Sequence, residues 1–362
     1  MLFPYAYVPH SMEKMQEYID FIFYEVWCKA LQGQPFVFDL FRAMPDLKEI
    51  MEAFYYSDAK GADFFYGHVE RIYGLFVRLI PSEIDQLKAW YAGNNDIAKL
   101  CGKEPAVAIA RYSDLEAFNQ GLSESIAVFF KGLYSKDLLN LAVLKKKIGE
   151  IDDHHTKFTE VNKQGKCPFC GINDVKGIYH SKREAYDHYL PKGKYPFNSI
   201  NFYNLAPACH ECNSTYKLSR DPLYDAKDPL LSQTVGRRKS FFPYQKKSYA
   251  IELDITLNSP DWTNITPGDV SLTTGPDELR EEIDTWLDVY GIEERYKAKC
   301  CGENDGKGWI VQILDEWKQD GHDPEDFLST LARQTDSRPY TNDNFIKKPF
   351  LDACRRAGLF NT

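Results

Sequence analysis

The sequence lacks several features that would assign the chain to a membrane, secreted or ATP-binding class. None of its 362 residues belongs to an uninterrupted apolar run of the roughly eighteen residues that a membrane-spanning helix needs. The first residues, MLFPYAYVPHSMEKM, lack the basic segment and following apolar segment of a signal peptide. The glycine-containing stretch at 302–308 lacks the spacing and the Ser or Thr of a Walker A motif. We therefore expect a cytoplasmic protein that has no membrane partner and does not itself bind ATP.

The cysteine content points to metal binding rather than to disulfides. The chain holds nine cysteines, an odd number, and no secretion signal, which favours a reducing compartment. Four of them form two C-x-x-C motifs, each of which places two thiolates on one side of a tight turn, and a closed four-thiolate site predicts structural Zn²⁺. A thioredoxin-like redox pair would need only one such motif, and His210, between two of the cysteines, is an alternative ligand. The predicted zinc ligands are Cys167, Cys170, Cys209 and Cys212.

The net charge of −9 argues at first against a nucleic-acid partner, but the charge is distributed unevenly. Residues 161–250 carry a net charge of +8, whereas residues 1–160 carry −6 and residues 251–362 carry −11. Phosphate binding depends on local potential rather than on total charge. A basic middle between acidic flanks is therefore compatible with a polyanion-binding site, although charge alone favours an ordinary solvated surface.

Apolar periodicity divides the chain into three regions. Residues 1–160 show helical spacing and are predicted to form a helical domain for targeting or partner binding. Residues 161–230 contain the zinc motifs and form the predicted core of the site. Residues 231–362 are predicted to contain a hairpin followed by helices. The predicted fold class is α+β and mostly helical, with a mixed α/β C-terminal region.

Individual elements follow from the same patterns. Single helices are predicted over 137–160 and over 277–300, and strands are predicted at 248–257 and at 268–273. Within the first of these helices, the run Asp-Asp-His-His at 152–155 resembles a metal cluster in composition. Four consecutive residues point in different directions around a helix, so we predict a solvated face there.

The residues between and just after the zinc motifs carry the remaining chemistry. An Asp187-His188 dipeptide is followed by an Asn204-Leu-Ala-Pro segment and by a C-x-x-C-N run that ends at Asn213. In this order, the segment 167–217 resembles the HNH endonuclease family. The resemblance implies a central ββα-metal nuclease core held together by the four-cysteine zinc site. The sequence Asp-His-Tyr-Leu-Pro-Lys, at 187–192, is similar to that of a branch of the family found in bacterial anti-phage modules, including nucleases that pair with an ATPase.

The resemblance implies a role for each of these residues. His188 is the candidate general base that takes a proton from water, since a neutral imidazole accepts protons near physiological pH. Asp187 and Asn213 would hold the catalytic Mg²⁺ or Mn²⁺, because an oxygen pair with open water positions suits these ions. Asn204 would brace the hairpin by hydrogen bonds. The alternatives for the two asparagines are a simple turn residue at 204 and a helix cap at 213.

Three lysines are candidate substrate-binding residues. Lys192 and Lys194 lie in the predicted hairpin loop, where they could meet a backbone phosphate. Lys217 is five residues beyond Cys212, one residue more than in the commonest form of the family's motif. The family's final histidine is replaced by Asn213, which weakens any inference of a transition-metal preference.

These features predict a metal-dependent HNH endonuclease that hydrolyses phosphodiester bonds of nucleic acid. DNA is favoured by the resemblance alone, and an RNA (tRNA) nuclease on the same site is an alternative. The resemblance further implies an effector of an anti-phage defence system, with a regulatory ATPase as a possible partner. The second hypothesis, of a different class, is a catalytically inactive module that is held together by zinc and serves nucleic-acid binding or assembly.

Overall fold

The computed structural model describes residues 1–30, 32–225, 236–247 and 249–360. The predicted domain boundary at 230/231 lies outside these residues, as does the first residue of the strand predicted at 248–257. The described chain is mostly helical with two small antiparallel sheets, which confirms the predicted α+β class at this level. Among the described helices, none combines the length and the apolar character needed to cross a membrane.

The N-terminal region is a set of helices packed around aromatic side chains. Its longest helix buries Phe65, Val69, Ile72 and Phe76, which recur at helical spacing and so form one apolar face. The helix that follows begins at Pro81, because a proline in the first turn has no N–H to leave unpaired. The helices are α1 (Lys14–Phe21, continued by a π-helical stretch over Ile22–Trp27), α2 (Pro45–Tyr55), α3 (Lys60–Phe76), α4 (Pro81–Asn95), α5 (Ile97–Cys101), α6 (Tyr112–Phe118), α7 (Gln120–Gly132), α8 (Lys136–Leu139), α9 (Ala142–Ile148) and α10 (Ile151–Val161).

The prediction of one helix over 137–160 is wrong. Three helices, α8, α9 and α10, share this stretch, and α9 ends at Gly149 with a φ of +76°. A side chain there would be strained by the positive φ, and its Cβ would lie 2.6 Å from Ser11 Oγ. The apolar spacing continues across the break because both α9 and α10 bury a face, so periodicity alone did not reveal the turn.

The central region is built on a short hairpin followed by one helical segment. Strands β1 (Tyr186–His188) and β2 (Leu205–Pro207) are antiparallel, with Asp187 opposite Ala206 and His188 opposite Leu205. A 3-10 turn over Phe202–Asn204 leads into β2, and a π-helical segment, Glu211–Lys217, follows it. This order places Asp187 and His188 on β1, Asn204 in the turn that leads into β2, and Asn213 and Lys217 on the helical segment.

The C-terminal region combines a second hairpin with five helices. The predicted strand pair is confirmed, since strands β3 (Glu252–Leu257) and β4 (Val270–Gly275) pair antiparallel along their whole length. The prediction of one helix over 277–300 is wrong, because Gly291, at a φ of +57°, separates α11 from α12. A Cβ at Gly291 would lie 2.6 Å from the ring of Tyr216, so the close approach also requires glycine. The elements are β3 (Glu252–Leu257), β4 (Val270–Gly275), α11 (Arg280–Tyr290), α12 (Ile292–Cys301), α13 (Gly306–Asp320), α14 (Pro324–Ser337) and α15 (Asn344–Arg356).

Two hydrophobic cores meet at the central region. The core of the N-terminal helices takes in Phe197 and Leu205 from the central hairpin. The other core joins the zinc-motif cysteines to the C-terminal helices and includes Leu2, whose backbone N–H donates to the Pro168 carbonyl at 2.8 Å. The candidate site is therefore held between the two cores, and the first residues of the chain pack on the first zinc motif.

Candidate functional site

The four predicted zinc ligands form one buried cluster. The Sγ atoms of Cys167, Cys170, Cys209 and Cys212 all lie within 4.8 Å of one another. The Cys170 and Cys209 sulfurs are 3.9 Å apart. A disulfide would require about 2.05 Å, whereas a tetrahedral site with Zn–S distances of about 2.3 Å separates its sulfurs by roughly 3.8 Å. The cluster is therefore a group of free thiols that could bind a zinc ion.

Two polar side chains support the sulfurs from outside the cluster. Arg295, on α12, donates from Nη1 to Cys212 Sγ at 3.3 Å, and its side chain is buried. Asn173 donates from Nδ2 to Cys209 Sγ at 3.5 Å. A buried guanidinium offsets the negative charge that four metal-bound thiolates accumulate, so this arrangement suits a metal-loaded state.

The C-terminal helices also fix the backbone of the first zinc motif. Trp286 donates from its indole N–H to the Phe169 carbonyl at 2.6 Å, and Tyr296 donates from its hydroxyl to the Cys170 carbonyl at 2.9 Å. His210 is not part of the cluster, since its side chain is 79% exposed. The cluster thus ties the central region to α11 and α12.

Asp187 is buried and forms an ion pair with a lysine. Lys217 Nζ lies 2.9 Å from Asp187 Oδ1 and donates to the His188 carbonyl at 2.8 Å. Both side chains are almost fully buried. The second carboxylate oxygen, Oδ2, is buried and has no hydrogen-bond partner among the described residues. Burial raises the pKa of the Asp187 carboxyl, and the adjacent ammonium of Lys217 opposes this shift.

The placement of Lys217 corrects its predicted role. We expected this lysine to meet a substrate phosphate, but its side chain has no exposed surface and its ammonium is committed to Asp187 and to a backbone carbonyl. A lysine that far inside the protein cannot contact a phosphate on the surface. Its ion pair instead fixes the orientation of the Asp187 carboxylate.

The imidazole of His188 has a defined tautomer. Its Nε2 lies 2.8 Å from the Ser199 carbonyl, and since a carbonyl only accepts, Nε2 carries the proton and Nδ1 is left as an acceptor. The ring of Tyr134 covers it edge-on, with the ring centroids 5.2 Å apart. Burial lowers the pKa of His188 to about 3, aided by the charge of Lys192 and opposed by the Ser199 hydrogen bond. The ring is therefore uncharged at neutral pH.

Asn204 joins the two ends of the loop between β1 and β2. Its Oδ1 accepts from the Leu190 N–H at 2.7 Å, and its Nδ2 donates to the Leu190 carbonyl at 3.1 Å. The same amide group contacts Asn198, whose Nδ2 donates to the Asn94 carbonyl at the end of α4. All three asparagines are fully buried. This network fixes the chain two residues beyond His188 to the N-terminal helices.

Asn213 lies on the π-helical segment, beside the zinc cluster. Its N–H donates to the Cys209 carbonyl, and its carbonyl accepts from the Leu218 N–H in the wider π-helical pattern. Lys217 is about one turn later, so Asn213 and Lys217 share one side of the segment. The Asn213 side chain is half-buried, and no hydrogen bond joins it to Asp187 among the described contacts.

The two loop lysines lie beside α7. Lys192 donates from Nζ to the Lys131 carbonyl at 3.2 Å. The ammonium of Lys194 is 4.0 Å from the buried carboxylate of Asp221. Both side chains are partly exposed, so each has part of its charge accessible to a ligand.

The prediction that residues 152–155 form a solvated face is wrong for the two histidines. His154 is 2% exposed, and it contacts the Tyr186 hydroxyl through Nδ1 and the Val8 carbonyl through Nε2. His155 is also buried, whereas Asp152 is exposed and pairs with an arginine. The histidines belong to the packing between α10 and β1, and they are outside the group of residues that could hold a metal.

Several residues that shape the site were not predicted from the sequence. Ser199, Tyr134 and Arg295 contact His188 or the zinc cluster across 11, 54 and 83 residues of chain, respectively. No local pattern marks such long-range partners. For Lys217 a signal was present, because its spacing after Cys212 is one residue longer than in the commonest form of the motif that the segment resembles.

Comparisons with known proteins identify one short similarity. No protein-family model matches the chain, and no solved structure matches it. The protein ea31 of Escherichia phage lambda is 34% identical over 80 residues, which amount to 21% of this chain and 24% of the phage protein. The chain therefore covers about a quarter of that relative.

Proposed function

We propose that the chain is a metal-dependent endonuclease that hydrolyses phosphodiester bonds of nucleic acid. The observation that carries this proposal is the arrangement at β1. His188 offers an unprotonated Nδ1, and the neighbouring Asp187 offers a buried carboxylate oxygen without a partner, next to a four-thiol cluster. A base and a cation-binding oxygen are two components of metal-assisted phosphodiester hydrolysis.

His188 takes the proton of the attacking water in this proposal. The Ser199 carbonyl holds Nε2–H, so the lone pair of Nδ1 is available for the proton. Burial keeps the imidazole uncharged at neutral pH, and the same loss of water makes it a weaker base than a free imidazole. Asn204 positions this base indirectly, since it fixes the backbone at Leu190, two residues away.

Asp187 and Asn213 are the residues that would hold a divalent cation in this proposal. Asp187 Oδ2 is a buried acceptor without a hydrogen bond among the described residues, and Asn213 offers a neutral amide oxygen on the adjacent helical segment. Oxygen ligands of this kind suit Mg²⁺ or Mn²⁺. When bound, such an ion would neutralise charge on the scissile phosphate. Lys217 opposes the rise in the pKa of this carboxyl that burial causes, and orients it through Oδ1. The four-cysteine cluster would hold a separate, structural zinc ion.

DNA is the proposed substrate, and RNA, including tRNA, is the alternative on the same residues. The proposed biological role is that of an effector in a bacterial anti-phage defence system, acting with a regulatory ATPase in the cytoplasm. These assignments follow from the HNH resemblance of the segment 167–217.

A second candidate is a zinc-stapled nucleic-acid-binding module without catalysis. One observation favours it: the Lys217 ammonium occupies Asp187 Oδ1, where it lowers the attraction of the carboxylate for a divalent cation. The two candidate functions differ in whether they require a divalent metal ion. A nuclease needs Mg²⁺ or Mn²⁺ for cleavage, whereas a binding module holds nucleic acid equally well without them.

An assay over substrates and metals distinguishes the candidates. Supercoiled plasmid, single-stranded DNA and total RNA are incubated with the wild-type protein in Mg²⁺, Mn²⁺ or EDTA, and Asp187→Ala of equal zinc content is run beside it. We expect cleavage only with the added metal and a large loss in the variant. Binding without cleavage in every condition would favour the second candidate. Equal cleavage by wild type and variant would identify a contaminating nuclease.

A further inference from the structure

Four cations from separate parts of the chain are linked by contacts that lead to His188. Two of them, Lys192 and Lys194, are in the loop between β1 and β2, Lys131 is on α7, and Arg111 immediately precedes α6. We call these four residues the basic cluster. The contacts that assemble it connect the candidate nuclease core to α6 and α7.

The contacts run continuously from His188 to the cluster. The Ser199 carbonyl accepts from His188, and the Ser199 hydroxyl donates to the carbonyl of Phe130, which precedes Lys131 on α7. Lys192 Nζ then lies 3.2 Å from the Lys131 carbonyl. The candidate base and these cations are therefore held in one hydrogen-bonded frame.

Two tyrosines extend the cluster along α6. The Lys131 ammonium lies 4.4 Å from the ring centroid of Tyr112, whose backbone N–H donates to the Lys194 carbonyl at 3.0 Å. The guanidinium of Arg111 lies 4.3 Å from the ring centroid of Tyr224. Aromatic rings hold a cation in place without neutralising its charge.

The cluster contains little compensating negative charge. Among the described residues, the charged side-chain groups of Arg111, Lys131 and Lys192 form no ion pair, and Nε of Arg111 is buried without a hydrogen-bond acceptor. Two carboxylates lie near the cluster: Asp114 Oδ2 accepts from the backbone N–H of Arg111 at 2.6 Å, and Asp221 is 4.0 Å from the Lys194 ammonium. Cations held together with few anions raise the local positive potential and favour a polyanionic ligand.

We infer that the basic cluster is the track that holds the phosphate backbone of nucleic acid against the site, with Arg111 and Lys131 as binding residues supplied by the N-terminal helices. This inference rests on the proposed nuclease function and assigns those helices a part in substrate binding. Contacts to phosphates position a nucleic acid without reading its sequence, so the track serves DNA and RNA alike.

The salt dependence of binding tests the inference. The full-length, zinc-loaded protein carries His188→Ala to prevent cleavage, and its affinity for labelled duplex DNA, single-stranded DNA and RNA is measured by fluorescence anisotropy across a salt series. In this background we compare the double variant Arg111→Gln/Lys131→Gln with Lys146→Gln/Arg78→Gln. The control pair also removes one lysine and one arginine charge, from an exposed position on α9 and from the exposed turn after α3.

The expected result is specific to the cluster. For duplex DNA, the slope of log affinity against log salt should fall in magnitude by about 2, since each lost phosphate contact removes about 0.9. Affinity at low salt should fall about tenfold or more, and Lys131→Arg should retain it. The control pair should keep the parental slope.

Two outcomes would overturn the inference, and they are distinguishable. If the His188→Ala protein binds nucleic acid and both double variants show the same slope of log affinity against log salt, the assignment of the track is wrong while the nuclease proposal stands. If the wild type neither cleaves nor binds any nucleic acid, the proposed function fails and the track fails with it. Thermal unfolding and zinc content of each variant identify any loss that comes from misfolding.

Discussion

The ion pair between Asp187 and Lys217 is the most consequential pairing of two residues in the site. Both side chains are buried, so each charge depends on the other to offset the loss of water. The pair also sets the chemistry of the carboxylate, because one oxygen faces the ammonium and the other is unpartnered among the described residues. The resemblance alone suggested two separate roles, a metal ligand and a phosphate contact, whereas the structure joins them.

We predict that Lys217→Met destabilises the fold by about 3–5 kcal/mol, because it leaves a buried carboxylate without its counter-charge. Urea unfolding at neutral pH measures the change. The double variant Asp187→Asn/Lys217→Met should recover much of the loss, and Lys146→Met at an exposed position should cost almost nothing. A Lys217→Met protein as stable as wild type would show that the pair does not form.

His154 gives a prediction for pH. Burial lowers the pKa of His154 to about 4, and neighbouring charges from His10, His155 and Lys157 add to this, while the Val8 carbonyl opposes it. The unfolded chain has the ordinary value near 6.5 and therefore binds the proton first as the pH falls. The stability that comes from the neutral ring is fully present above about pH 6.5 and is lost as the pH falls toward 4.

The matching experiment compares wild type with His154→Phe, which keeps an aromatic ring beside Phe202 but does not titrate. Between pH 7 and pH 4, the free energy of unfolding of wild type should fall by up to about 3 kcal/mol more than that of the variant. Identical pH profiles for the two proteins would show that His154 is not a buried neutral group.

At the scale of elements, the zinc cluster links the central hairpin to the C-terminal helices. Hydrogen bonds from α11 and α12 reach the backbone or the sulfurs of both zinc motifs. The π-helical segment Glu211–Lys217 carries both Cys212, a member of the thiol cluster, and Lys217, the partner of Asp187, so one short element supports both.

We predict that the purified chain contains one zinc ion and that Cys209→Ser removes it. Because metal affinity is also folding free energy, the loss should be on the order of 5 kcal/mol. Elemental analysis and thermal unfolding measure the two effects. Cys301→Ser is the matched control, since Cys301 is a free cysteine outside the cluster. A zinc-free wild type of full stability would contradict the assignment.

The sequence predicted whether a segment is a helix or a strand more reliably than it predicted where that helix or strand ends. Alternation and turn residues correctly indicated the β3–β4 hairpin, and apolar spacing correctly indicated helices along most of residues 1–160. The breaks at Gly149 and Gly291 were missed, because both depend on close contacts with distant residues. A glycine inside a periodic stretch is compatible with either a continuous helix or a turn, and only tertiary contacts decide between them.

Across the whole molecule, the sequence correctly indicated that the four cysteines come together but not which residues surround them. The basic region 161–250 coincides with the segment that carries Asp187, His188 and the four cysteines. The partners that complete the site come from both flanks: Tyr134 from the N-terminal helices and Arg295 from the C-terminal ones. Such partners depend on how the two cores pack against the central region, which no local pattern encodes.

The central claim, that His188 is the base of a nuclease, is tested most directly by one rate comparison. Plasmid nicking in Mg²⁺ is measured for wild type, His188→Ala and His322→Ala, the last at an exposed histidine between α13 and α14. At equal zinc content we predict that His188→Ala is slower by about 10²–10⁴-fold and that His322→Ala matches wild type. Equal rates for all three proteins would contradict the account.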